Sequence, residues 1–170
     1  NGAALFLVLM GAQEQTQKFA QTVLKAGTWD GPALACSLDY DARFLRRKVL
    51  ASDDGMSFLV DLPHTTSLEH GDALALSDGN RVRIIAAPEP VLHIAGANLT
   101  QIAWHIGNRH TPCQMLPDML VIRDDPVIGH MLEHLGARLT KALQPFTPEG
   151  GAYGHGRTHS HAHGATAHDH

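Results

Sequence analysis

Residues 91–146 read VLHIAGANLTQIAWHIGNRHTPCQMLPDMLVIRDDPVIGHMLEHLGARLTKALQPF, and the spacing of apolar residues within them decides the fold. Val91-Leu-His-Ile94 reads as a strand. Leu99, Ile102, Ala103 and Ile106 recur at helical spacing, with Asn98 placed as N-cap and Gly107 as stop. Cys113 to Ile122 reads as one strand, or two short ones around Pro117-Asp118. Val127, Met131, Leu132 and Leu135 mark a second helix that Gly136 ends. Ala137 to Phe146 reads as a last strand. The order β-α-β-β-α-β is the split βαβ, or ferredoxin-like, arrangement. Two helices then cover one face of a four-stranded sheet, and the other face is left for a partner or solvent.

Working outward, Pro88-Glu89-Pro90 marks a boundary, because neither proline can donate to a sheet ladder. Before it, from Gly27 to about Glu89, the signals are β. Leu38, Tyr40, Phe44, Leu45 and Val49 partly alternate. Ser57-Phe-Leu-Val-Asp-Leu62 resumes the pattern after Asp53-Asp54-Gly55. Gly71-Asp72 and Asp78-Gly79-Asn80 supply tight-turn chemistry around Ala73–Leu76 and Val82–Ile85. Short strands at this spacing predict a small sandwich or open barrel. His64 and His70 are placed in a solvated loop between strands. The run Ala3 to Ala12 is too short to span a bilayer and lacks the basic start of an export signal, so it is read as a strand or irregular leader. From Pro148 onward the chain offers almost nothing to bury, which predicts disorder without metal. The expected class is α+β: a small N-terminal all-β domain (1–88) for docking other proteins, a ferredoxin-like metal-binding and dimerisation domain (89–150), and a flexible His-rich tail (151–170).

Composition narrows the function. The 170-residue chain carries a formal net charge of −4. That balance gives no electrostatic footprint for nucleic acid or an anionic membrane. Two cysteines, Cys36 and Cys113, make no disulfide framework and fit a reducing compartment, so a cytoplasmic protein is expected. The outlier is histidine: 13 residues, as many as lysine and arginine together. Imidazole is the commonest metal ligand, so the placement of histidine becomes the question.

Three constellations answer it. In the tail, His155, His159, His161, His163, His168 and His170 lie on a segment that can bend around an ion. Imidazole suits nickel, copper and zinc alike, so such a site is adaptable and not selective. The interspersed Gly, Ser, Thr, Ala, Arg and Asp distinguish it from a purification tag. The second constellation is His105-Ile-Gly-Asn-Arg-His110-Thr-Pro-Cys113. There a histidine is held in a loop between a helix end and a strand, a rigid place for one ligand. The third, His130-Met-Leu-Glu-His134, matches the inverted zinc-peptidase motif H-x-x-E-H. It would hold zinc on one helix face with Glu133 as base. That enzyme class also needs a third ligand, a cleft and far more chain, so a polar helix face is the better reading. No Gly-rich phosphate loop, nucleophile elbow, catalytic carboxylate pair or CxxC is visible.

Three stretches together resemble the urease accessory protein E family. They are Tyr40-Asp-Ala-Arg-Phe-Leu-Arg-Arg-Lys48 followed by Phe58-Leu-Val-Asp-Leu-Pro63, then Trp104-His-Ile-Gly-Asn-Arg-His-Thr-Pro112, then Pro145-Phe-Thr-Pro-Glu-Gly-Gly-Ala-Tyr153 leading into the histidine tail. The resemblance implies a non-enzymatic nickel metallochaperone for urease maturation. It implies a β domain like a chaperone peptide-binding domain, a ferredoxin-like metal-binding domain, and a homodimer joined through the latter. It further implies that His110 faces its twin across the dimer axis and that the pair binds one ion, with His105 a further metal-site histidine. Nickel is the implied cargo, with zinc or copper accommodated at the same donors. Apo-urease and its GTPase accessory protein are the implied partners. The family often carries D-H-V at the start of the second helix; here the stretch is Asp125-Pro126-Val127, so that ligand is missing. Two rivals stand beside this reading: a His-rich metal buffer with no delivery target, and a small zinc hydrolase built on His130, Glu133 and His134.

Overall fold

The computed structural model describes residues 17–151 and 157. The Ala3 to Ala12 run and the six tail histidines lie outside the described residues. The first domain contains β1 (Phe19–Leu24), β2 (Leu34–Leu38), β3 (Phe44–Ala51), β4 (Ser57–Ser67), β5 (Ala73–Leu76) and β6 (Arg81–Ala86). The second contains β7 (Pro88–Ala95), α1 (Leu99–Asn108), β8 (Gln114–Met115), β9 (Leu120–Arg123), α2 (Pro126–His134) and β10 (Arg138–Pro145). Among the described residues no helix is long and apolar enough to cross a membrane.

The six strands of the first domain form one sheet in the order β2-β6-β5-β1-β4-β3. Its two edges also meet. The Cys36 thiol on β2 donates to the Ala51 carbonyl at the end of β3, and Asp53, just beyond β3, accepts from the Ser37 amide at 2.8 Å. A sheet whose opposite edges touch has curled on itself, which gives the open-barrel alternative. All six strands send side chains to one core, including Ala20, Cys36, Leu50, Phe58, Leu74 and Ile84. His64 belongs to β4 and not to a loop. His70 is a structural residue, its Nδ1 accepting from the Ala86 amide at 3.2 Å.

The second domain builds a four-stranded sheet in the order β10-β7-β9-β8, with every neighbouring pair antiparallel. The Cys113 to Ile122 stretch resolves into two strands. Alternation along β7 and β9 divides the sheet's faces. Leu92, Ile94, Leu120 and Ile122 meet Ile102 and Ile106 of α1 and Ile128 and Leu132 of α2. Val91 and Val121 point the other way and pack with Phe146 against Tyr40 of the first domain. The face left open by the sequence pattern is thus partly covered from within the chain. Tyr40 and Phe146 meet edge to face with ring centroids 5.3 Å apart, and the Tyr40 amide donates to Glu89 Oε2 at 2.7 Å.

The two prolines at the boundary sit inside a strand. Pro88 and Pro90 pair with Pro145 and Leu143 of β10, while the ladder with β9 begins only at Val91. The Pro90 carbonyl accepts from the Asp124 amide, so its nitrogen faces the β9 side, beyond the end of that ladder. Where no donor is required, proline costs the sheet nothing.

Both helices begin on a capping side chain. Asn98 accepts from the Gln101 amide, and Asp125 accepts from the Val127 and Ile128 amides ahead of Pro126 in the first turn. Asp125-Pro126 therefore makes a cap and an N1 proline where the resemblance often implies a histidine.

Candidate metal centre

The two helices end in the same way, and the comparison locates the site. At the end of α2 the Gly136 amide donates to the Glu133 carbonyl and the Ala137 amide to Leu132. That pair of bonds is a Schellman motif, and Gly136 supplies the left-handed residue it needs, at φ 83°. At the end of α1 the His110 amide donates to the Gly107 carbonyl at 2.9 Å and the Thr111 amide to Ile106 at 3.3 Å. The pattern is identical, but the left-handed residue is His110, at φ 53°. Among the described residues it is the only non-glycine at positive φ. A β-carbon in that conformation costs roughly 1 kcal/mol that glycine would not incur. Gly107 is not the stop expected from the sequence: the helix runs through it to Asn108, and the histidine itself turns the chain.

His110 is exposed. It lines a depression of about 180 Å³ together with Ala103, Gly107, Cys113, Met115 and Glu149. Trp104, Met115 and Leu116 leave apolar surface uncovered nearby along the chain, Trp104 being 64 % exposed. His105 is half-buried in the last turn of α1, stacked edge to face on Trp104 with centroids 5.0 Å apart. The depression thus receives His110 but is not lined by His105. Among the described residues no group of three or more His, Cys, Asp or Glu side chains is placed to hold a metal ion.

The segment that leads to the tail is fastened beside His110. Phe146 is fully buried. The Thr147 amide donates to Gln114 Oε1 at 3.1 Å, and the Glu149 amide donates to the Cys113 carbonyl at 2.9 Å. The Pro145-Phe-Thr-Pro-Glu149 stretch, read as a motif in the sequence, is therefore a physical tether of the tail's root to this depression.

Cys113 is not poised as a thiolate. Burial, aided by the nearby Glu149 carboxylate, pushes its thiol up to about 11, and burial followed by Asp53 does the same for Cys36. Both should therefore alkylate more slowly in the folded chain at pH ~8 than in urea, where thiols return to their ordinary range. Equal rates for Cys113 in the two conditions would show it to be an open, ionised ligand.

The His130–Glu133–His134 triplet lies on the exposed face of α2. His130 and His134 approach each other there with Nε2 atoms 3.1 Å apart. The residue that sequence patterning missed is Arg43, a charged side chain 1 % exposed between the two domains. Its charge gave it the signature of a surface residue.

The comparisons with known proteins match nearly the whole described chain. The N-terminal domain model of the UreE urease accessory protein matches residues 16–87, and its C-terminal domain model matches residues 89–170. A urease accessory protein UreE of Ruegeria pomeroyi is 55 % identical over 141 residues, covering 83 % of this chain and 95 % of that protein. One of Rhodobacter capsulatus is 55 % identical over 145 residues, covering 85 % and 92 %. One of Beijerinckia indica is 47 % identical over 145 residues, covering 82 % and 84 %. The chain belongs to the UreE family of urease accessory proteins, which assist in the maturation of urease and are not themselves enzymes.

Proposed function

We propose that the chain is a nickel carrier that works as a homodimer in the cytoplasm. In this reading His110 of two chains share one ion and hand it on during assembly of the urease metallocentre. The observation that carries the reading is His110 in the left-handed position of a Schellman motif, where glycine would serve the fold better. A strained, exposed ligand that the fold does not need is a mark of function. In this reading the second domain, a ferredoxin-like unit over 89–150, carries this histidine in a depression it shares with the exposed Met115, with Trp104 and Leu116 exposed nearby along the chain. Apolar surface around a ligand suits a twofold interface. Two imidazoles leave coordination positions open. Glu149 is held at the same depression just ahead of the tail of 151–170, and in this reading His155, His159, His161, His163, His168 and His170 complete the shell of the ion and release it. His105 lies outside the depression and enters this reading only as the further metal-site histidine that the resemblance implies. The first domain, 1–88, holds no comparable ligand cluster among its described residues and is assigned to docking the urease apoprotein complex and its GTPase accessory protein.

Imidazole donors accept zinc and copper as readily as nickel, so selectivity rests with the partner and the supply. A pure metal buffer would need no docking domain. The hydrolase reading of His130, Glu133 and His134 falls with membership in a non-enzymatic family. The test is activation of apo-urease at limiting nickel with its other accessory proteins present. The chain should raise the active fraction, and a His110→Gly chain should not. Equal activation by both would reduce the protein to a buffer or scaffold.

A further inference from the structure

We propose that His130 and His134 form a second metal site, a two-imidazole chelate on the outer face of α2 for nickel- or copper-class divalent ions. The site is independent of His110, which ends the other helix, and its failure would leave the reading of His110 untouched.

The geometry is the argument. The two Nε2 atoms are 3.1 Å apart while the ring centroids are 4.5 Å apart, so the rings turn their nitrogen edges toward each other. The ring planes stand at 85°. An ion bound to both nitrogens at about 2.1 Å, with the 3.1 Å separation unchanged, would see them at roughly 95°. That angle is close to the right angle between neighbouring positions of an octahedral or square-planar ion, and narrower than a tetrahedral site prefers. Both side chains are exposed, so an ion can reach them and complete its shell with water.

The scaffold is rigid. The helix is fixed at one end by the two amides that Asp125 caps and at the other by the Gly136 turn. Between them Ile128 and Leu132 are locked into the core. Residues four apart on such a helix stay on one face. Without metal, one ring donates through Nε2 to the other. Chelation needs both Nε2 lone pairs, so the donating ring moves its proton to Nδ1, and neutral rings lose no proton.

The test uses the full chain near neutral pH with nickel alone. Nickel content after equilibrium dialysis is compared for the unaltered chain, His134→Ala and His130→Ala, and amide spectra are recorded at low nickel occupancy. Each substitution should remove about one ion per chain, because a single imidazole holds nickel far more weakly than a chelating pair. Amides of Val127 to Leu135 should broaden by paramagnetic relaxation in the unaltered chain and recover in both variants. Both positions are exposed, so the variants should keep the native spectrum elsewhere. Unchanged nickel content, or broadening confined to residues around His110 and the tail, would overturn the proposal.

Discussion

Replacing Arg43 with alanine should lower the unfolding free energy by about 3–5 kcal/mol, the cost of leaving two buried carbonyls unpaired at about 1–3 kcal/mol each together with the lost packing. The guanidinium is buried and divides its donors among three carbonyls. Nε donates to Leu68 at 3.2 Å, one Nη to Leu38 at 3.2 Å, and the other to Phe146 at 2.7 Å. Two of those carbonyls belong to the first domain and the third to the end of the second, so the side chain pins the domains together. Alanine strands the Leu68 and Phe146 carbonyls, while Leu38 keeps the Ala87 amide at 2.9 Å, and it leaves a void beside Tyr40, whose ring lies 5.9 Å from the guanidinium. Lysine should rescue little, because one ammonium on a flexible stem cannot replace a planar fork that faces three acceptors. Urea unfolding followed by circular dichroism measures the loss. A deficit below about 1 kcal/mol would mean that water re-solvates the carbonyls and that Arg43 is not the clamp.

Much of this architecture is legible in the sequence, and the exceptions share a cause. Helices α1 and α2 show in the spacing of Leu99, Ile102 and Ile106 and of Met131, Leu132 and Leu135, because one side of each must be apolar to cover the sheet; Val127, read onto that face, is 74 % exposed, and Ile128 packs in the core instead. Strand β1 escaped the reading. Among its six residues only Ala20 is buried, so the alternation that announces a strand is absent. Pro88 and Pro90 looked unable to join a sheet ladder because the rule against proline in sheets concerns the donor side, and which side a residue offers depends on its partner strand. Gly107 looked like a helix stop for a similar reason: composition cannot tell which residue adopts positive φ. His110 was picked out by its motif and its resemblance, but its strain became visible only against Gly136. Spacing placed His130 and His134 on one face; whether their nitrogens converge is a matter of rotamers, which no spacing fixes. Arg43 carries the signature of a surface residue and lies buried between the two domains.

The second large effect concerns His110 and has two signs. His110→Gly should raise stability by roughly 1 kcal/mol, because glycine removes the left-handed strain at the Schellman position. The same change should abolish the shared ion, since each substitution in a symmetric dimer strikes the site twice. A residue kept only for the fold cannot behave this way: its loss would lower stability, not raise it. His110→Ala would lose the ion as well but keep the strain, so it should gain no stability.

The most direct measurement counts nickel per chain in protein ended after Tyr153 and carrying His134→Ala, which removes the tail and the α2 pair as competing ligands. A site made by His110 and its symmetry mate predicts about half an ion per chain, and none once His110→Gly is added. A full ion per chain, or half an ion that survives His110→Gly, would contradict the claim that His110 is the shared interface ligand.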